Sequence, residues 1–408
     1  MPPPSPRDRS QPLEANILLT ATFCLLAAGA VMVYSASSAK TLLQHQGDGT
    51  SYLIRYVIFG AIGLVLMQVI ARHGLKVIAE LTGPFLGACI AMQFLVLVPG
   101  IGVSVNGSRR WLGAGPLQFQ PSELMKLALL LYVVKVLATR PKIIREGRLL
   151  VPLAGVCCVG VGLVATKDIG TALVIAMTLS AILVAAGIPL RYLGVLIAGG
   201  VVLVLLMAVV EPYRMQRLSS FMNPWADAQN TGLQAVQGQI ALGSGGFFGR
   251  GLGESVQKVF YLPEAHTDFI LAIIGEELGV IGVSVVLFLY GLIAYAGLRV
   301  AKGAQGAYGK LLAVGLTSMI LCQGLLNVFT VLGMAPVTGV PLPFISYGST
   351  NLLVLLMGMG LLLNVAQGGV AHVRAVPGSR SDAESVDRRR RDSRTRGARA
   401  GGRRRAAG

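Results

Sequence analysis

Charge is what this sequence has least of. Asp, Glu, Lys and Arg make up only 13% of its 408 residues, about half the ~25% usual in soluble domains. Hydrophobic residues make up 54%, so an ordinary soluble enzyme or binding module is excluded and the bilayer is the expected solvent. Negative charge is the scarcer sign, with 18 acidic residues against 35 Lys and Arg. That excess could suggest a nucleic-acid partner, but its densest part is a terminal run from Arg388 to Arg405 set among Gly, Ala and Ser. Such a segment cannot bury enough apolar surface to fold alone. Residues 368–408 are therefore expected to be a basic, disordered cytoplasmic tail that meets membrane lipid, and no nucleic-acid partner is expected. Cysteine and histidine are also few, at five and four. Cys24, Cys89, Cys157, Cys158 and Cys322 all fall in apolar runs without metal or redox spacing, which reads them as small buried hydrophobes and leaves no dedicated metal cage.

Long apolar runs are what the chain has in abundance. A hydrocarbon core of ~30 Å takes about 20 helical residues. Runs of that kind predict ten transmembrane helices at 17–38, 52–71, 81–99, 122–138, 149–166, 169–187, 192–211, 267–297, 311–333 and 347–367. The first run exceeds the 7–15 apolar residues of a signal peptide and is read as a retained helix. The runs do not alternate, so the expected class is an all-α integral membrane protein rather than a barrel. Three regions follow: an N-terminal tail 1–16, a polytopic domain 17–367 and the basic tail. Short links after even-numbered spans carry the Lys and Arg (Arg72, Lys76, Arg140, Lys142, Arg145, Arg148, Arg191, Arg299, Lys302, Lys310), which predicts that both termini are cytoplasmic. One outer loop, 212–266 between the seventh and eighth spans, is far longer than an ordinary connection. It carries a short helical stretch from Leu233 to Leu242, followed by a glycine-rich turn.

Ionisable residues at membrane depth mark candidate function. Segment 106–126, NGSRRWLGAGPLQFQPSELMK, places Arg109, Arg110, Glu123 and Lys126 at the outer end of the fourth span; Glu123 and Lys126, three apart, share a helix face and can pair. In TKDIGT (166–171), Asp168 stands where a helix begins and fits a dipole-favoured cap. In PLPFISYGST (341–350), two prolines and a glycine predict a bent backbone. The richest segment is YLPEAHTDFILAIIGEELG (261–279). Glu264, His266 and Asp268 lead into an apolar helix, Asp268 stands at its water boundary, and Glu276 and Glu277 are expected to brace the bundle through a basic partner.

These segments, with VYSAS, RMQRLSSFMNPW, ALGSGGFFGRGLG and LLLNV in the same order, resemble the SEDS proteins (FtsW, RodA and SpoVE), polytopic peptidoglycan glycosyltransferases, over nearly all of 17–367. GLGESVQK followed by YLPEAHTDFI looks more like the FtsW, or division, branch. Three positions depart from the family pattern: Lys167 in place of proline, Leu271 in place of phenylalanine and Ser349 in place of glycine. The resemblance implies that Asp268 is the catalytic residue. It also implies that Arg110, Glu123 and Lys126, together with Arg214, Arg217, Lys258 and His266, bind substrate at the same outward cavity. The implied substrate is lipid II, the implied partners are a class B penicillin-binding protein and other division proteins, and the implied place is the plasma membrane at the division septum. A carboxylate base beside positive charge suits a sugar hydroxyl attacking a carbon that bears a pyrophosphate leaving group. No dedicated cofactor is expected, although a divalent cation such as Mg or Mn could assist that leaving group. Two rival readings remain open from the residues: a lipid II flippase, and a non-catalytic division scaffold.

Overall fold

The structure, a computed structural model, describes residues 13–43, 49–98, 100, 102–105, 108–114, 117–140, 147–194, 198–200, 220–259 and 262–369. Its elements, in chain order, are α1 (Leu13–Leu43), α2 (Ser51–Arg72), α3 (Leu75–Leu97), β1 (Val103–Val105), β2 (Ser108–Ala114), β3 (Leu117–Phe119), α4 (Pro121–Thr139), α5 (Gly147–Ala165), α6 (Ile169–Ala185), α7 (Leu233–Ser244), α8 (Ile270–Gly303), α9 (Gly306–Val331) and α10 (Ser349–Ala366). Among the described residues, every expected span except 192–211 corresponds to one of these helices. Residues 192–194 and 198–200 of that span are helical, and the rest of it lies outside the described residues. Among the described residues, six helices are long and apolar enough to cross a membrane: α1, α2, α3, α8, α9 and α10.

Packing separates inner helices, α4, α9 and α10, from an outer shell. In their most apolar windows α9 and α10 are 72% and 78% buried, whereas α2, α3 and α8 are 22%, 28% and 28% buried. Consequently α9 lies at the centre, packed against α4, α6, α8 and α10, while α2 and α3 turn apolar side chains such as Ile54, Val65 and Leu81 outward. In a bilayer that exposed apolar surface faces lipid. The cysteines are all free, but Cys24 and Cys158 are exposed rather than buried, which corrects the expectation for those two.

The all-α expectation is also corrected. Strands β1, β2 and β3 form a small antiparallel sheet ahead of α4, with Ser104 paired to Arg109 and Leu112 to Phe119. β1 and β3 are three residues each, too short to show a period-2 pattern, and the seven residues of β2, SRRWLGA, show no clear alternation of apolar and polar side chains. α4 then starts with Pro121 in its first turn, where a missing N–H costs nothing. α5 and α6 are separated at Asp168, whose carboxylate accepts from Thr171 N at 3.0 Å and caps α6 as expected.

At 34 residues α8 would extend ~51 Å at 1.5 Å per residue, well beyond a hydrocarbon core. It is broken at Gly279, whose φ of 65° lies outside helical space. The chain just after α7 fills the break: Arg250 N and Gly251 N donate to the Glu276 and Glu277 carbonyls, while Val280 N and Ile281 N donate to the Gly246 and Phe247 carbonyls. A side chain at Gly279 would meet the backbone of Phe247 and Gly249, and one at Gly249 would meet that of Glu277. The glycines of GSGGFFGRGLG and GEELG thus allow two backbones to touch and exchange hydrogen bonds.

Candidate functional site

The loop that leads into α8 carries the candidate base. Asp268 is 8% exposed, more enclosed than a residue at a water boundary was expected to be. Thr267 Oγ1 donates to Asp268 Oδ1 at 2.8 Å and also reaches Glu264 Oε2 at 3.3 Å, so two carboxylates share one hydroxyl. The loop is gripped from two sides. Tyr347 N donates to the His266 carbonyl at 3.0 Å, and Asn327 Nδ2 donates to the Asp268 carbonyl at 2.7 Å. The rings of His266, Tyr52 and Tyr347 form a cluster in which each meets the other two, with the tyrosine centroids 4.5 and 5.8 Å from His266 and 5.0 Å from each other.

The segment between α9 and α10 faces Asp268. Its backbone is bent, as the prolines predict: Phe344 has a φ of 62°, a left-handed conformation rare for a bulky residue. The carbonyls released by this bend are taken by Tyr290 of α8, which donates to Pro343 O at 2.6 Å, and by Tyr56 of α2, which donates to Phe344 O. Gly339 is placed so that a Cβ there would sit 3.8 Å from Asp268 Oδ2. A Cβ at Gly170 would collide with Thr338 and Val340. The start of α6, residues 338–340 and Asp268 are therefore packed in direct succession.

Beneath this lies a polar network buried among helices. Glu123 and Lys126 of α4 pair at 2.6 Å, as their spacing predicts. Lys126 Nζ also donates to Gln323 Oε1 at 2.6 Å and Asn351 Oδ1 at 3.2 Å, so its three protons are all engaged. Asp168 accepts from Gln120 Nε2, Ser122 Oγ and Thr171 Oγ1, which ties the start of α4 to α6. Lys126, Glu123 and Asp168 thus each have a neighbour that compensates their desolvation.

A second polar cluster sits at the break in α8. Glu276 and Glu277 are fully buried. Glu276 accepts from Ser255 Oγ at 2.5 Å and Val256 N at 3.1 Å, with the Arg250 guanidinium 3.7 Å away. Glu277 accepts from Ser35 Oγ at 2.7 Å and pairs with Lys258 at 2.9 Å. Both glutamates therefore brace the structure through basic partners. Lys258, expected at the substrate, also donates to Ser35 Oγ and Gly253 O, which occupies its three protons within this brace.

Arg110 differs from both lysines. It lies half-buried in β2 with a buried Nε that has no hydrogen-bond partner among the described residues. Arg214 and Arg217 lie outside the described residues, as does the tail from 370 onward. Among the described residues no group of three or more His, Cys, Asp or Glu is placed to hold a metal ion. Sequence reasoning missed Gln120, Gln323, Asn327 and Asn351. The available signal was a carboxamide inside an apolar run, which must find a partner in lipid; Gln323 and Asn327, four residues apart on α9, show it plainly.

The family model for FtsW, RodA and SpoVE, described as "Cell cycle protein", matches residues 16–369. Stage V sporulation protein E of Bacillus subtilis is 39% identical over 356 residues, covering 86% of this chain and 96% of that protein. The Legionella pneumophila protein named "Probable peptidoglycan glycosyltransferase FtsW" is 39% identical over 366 residues, covering 88% and 92%. Among solved structures, a chain of a peptidoglycan synthase complex described as coordinating polymerization and crosslinking superposes with a TM-score of 0.70 at 31% identity, covering 86% of this chain and 96% of that one. The Thermus thermophilus rod shape determining protein RodA superposes with a TM-score of 0.63 at 30% identity, covering 86% and 95%.

Proposed function

Because the chain belongs to the FtsW/RodA/SpoVE family, we propose that it is a peptidoglycan glycosyltransferase that extends glycan strands from lipid II, with Asp268 as general base. The observation that carries this reading is convergence: HTDF, the 335–340 segment and the start of α6 meet at one place, with the Asp268 carboxylate against Gly339. Asp268 takes the proton from the 4-hydroxyl of the lipid II sugar, and that oxygen bonds to the anomeric carbon of the growing strand. The bond from that carbon to undecaprenyl pyrophosphate breaks, its electron pair leaves on the phosphate, and the single displacement inverts the centre. Pyrophosphate leaves without protonation, so the site needs one base and positive charge.

Arg110 is the preferred phosphate contact, because its buried Nε is an unmatched donor while Lys126 and Lys258 have none to spare. Glu123, Lys126 and Lys258 then hold the elements that carry the site, His266 shapes the loop, and Arg214 and Arg217 are further candidates for the phosphates. A magnesium-type ion uses one or two carboxylates together with substrate phosphates, a donor set that Glu264 and Asp268 fit. Such an ion would neutralise charge on the leaving group.

The working partner is a class B penicillin-binding protein, by analogy with the solved complex that couples polymerization to crosslinking. The expected place is the plasma membrane at the septum, with ten spans and both termini cytoplasmic. A cysteine introduced at Asn230 is then expected to react with an impermeant thiol reagent in spheroplasts, and one at Ser379 is not; reversed labelling excludes the orientation. The activity is tested with Asp268→Asn, which keeps size but removes the base. With the partner present and complex yields matched, polymerisation of labelled lipid II in detergent is expected to fall ~10²–10⁴-fold. Undiminished polymerisation by the variant excludes Asp268. Absence of polymerisation by wild type favours transport or scaffolding.

A further inference from the structure

Asp268 is the last residue before the cap of α8, and its carbonyl lies outside the helix's own ladder: the first helical bonds run from Ala272 N and Ile273 N to Phe269 O. A buried carbonyl in that position needs a donor from elsewhere. Asn327 of α9 supplies it. Its Nδ2 donates to Asp268 O at 2.7 Å and to Val340 O at 2.8 Å, joining the loop of the candidate base to the segment that faces it. Both neighbours of this nitrogen are carbonyls, so the orientation of the amide is unambiguous. Asn327 is 1% exposed, and its Oδ1 is buried without a hydrogen-bond partner among the described residues. The amide thus leaves the fold one unmatched acceptor. What it contributes is a two-pronged donor that no apolar side chain of the same size could provide.

One turn earlier on the same face of α9, Gln323 does the equivalent for the network below. It accepts from Lys126 Nζ and donates to Pro341 O at 2.8 Å, the residue after Val340. Two adjacent carbonyls of one segment are therefore held by two amides one turn apart, each of which also grips a residue singled out from the sequence. α9 is in the central, most buried part of the bundle, so it is a rigid base for such a tie.

We propose that Asn327 is a positioning residue for glycan synthesis: by fixing the Asp268 backbone to the 340 segment, it sets where the carboxylate meets the sugar hydroxyl. This rests on Asp268 being the base. Misplacement of a catalytic group by ~1 Å can cost ~10²-fold in rate, and the Asn327 bond falls on the backbone of Asp268 itself, whereas the bonds from Thr267 to Glu264 O and from Tyr347 to His266 O hold backbone that precedes it.

The test uses the full-length chain with a class B penicillin-binding protein, comparing wild type, Asn327→Ala, Asp268→Asn and the double variant on a series of lipid II concentrations. Asn327→Ala is expected to lower kcat per assembled complex by ~10²-fold, with KM within about twofold. In the Asp268→Asn background the same substitution is expected to add less than about threefold, because it acts through a base already absent. Hydrogen exchange at 262–270 is expected to quicken in Asn327→Ala whether or not the chain is assayed for turnover. Unchanged exchange there, an unchanged kcat, or an equal loss in both backgrounds overturns the proposal. If wild type makes no glycan, the functional reading fails on its own, and exchange still decides whether Asn327 holds the loop. If Asn327→Ala yields no complex, Asn327→Ser, which keeps a small polar side chain but loses the two-pronged donor, takes its place with the same expected directions and the same overturning results.

Discussion

Two buried lysine–glutamate pairs serve this molecule in different ways. Lys126 and Glu123 lie on one helix at 2.6 Å, and the remaining protons of Lys126 go to α9 and α10. Lys258 and Glu277 pair at 2.9 Å between a loop and α8, and the remaining protons go to Ser35 of α1 and back into the loop at Gly253. The chemistry is the same, and all three protons are used in each case. The first pair ties spanning helices to one another in the centre of the bundle. The second fastens the 250–259 loop to the break in α8, beside the helix half that follows Asp268. A buried charge in a membrane protein is therefore not by itself a substrate contact; what its partners belong to decides what it does.

Removing one member of a pair gives the largest effect. Lys126→Ala leaves Glu123 buried without its counter-charge, and a loss of ~3–5 kcal/mol is expected, seen as cooperative destabilisation in detergent unfolding. Replacing both partners, as Glu123→Leu with Lys126→Met, is expected to recover most of it. Lys258→Ala strands Glu277 in the same way, but its damage is expected first as faster hydrogen exchange and proteolysis at 250–259, with the bundle still folded. Global unfolding in both variants to the same degree would break the distinction.

Gly279→Ala tests the second region without touching charge. Alanine at a φ of 65° carries backbone strain of ~1–3 kcal/mol, and its Cβ would press on the backbone of Phe247 and Gly249. The expected result is loosening of 246–251 from α8, read as exchange at Arg250 and Gly251. Equal protection in variant and wild type would mean that the break is not held by this contact.

The smallest effect is expected at an exposed carboxylate in the turn that precedes α7. Asp227 accepts from Thr231 N at 3.2 Å and from Asn230 Nδ2 at 2.9 Å, and these bonds hold its carboxyl below the ordinary range. A carboxyl lowered in the folded state lends stability above its unfolded pKa and loses it as pH falls through the folded one. Acid is therefore expected to lower the protection factors of the 224–232 turn, once the slower intrinsic exchange at low pH is divided out, and Asp227→Ala to abolish that pH dependence. Acid sensitivity that survives Asp227→Ala would assign it elsewhere.

The sequence by itself determined the solvent, the mainly helical architecture and most of the helix positions, because ~20 apolar residues without alternation are what a helix needs to cross a bilayer and a helix satisfies its own backbone groups there. It also determined the Glu123–Lys126 pair, the Asp168 cap and the bend at 341–348, since each rests on residues close together in the chain. Only the tertiary structure decided that Lys258 belongs to Glu277, that loop 246–251 completes the broken α8 and that Asn327 holds Asp268. Those partners are 19, about 30 and 59 residues apart. Contacts across such separations leave no period or local spacing to read: a lysine or an asparagine in an apolar run announces that it needs a partner, and only packing names which one.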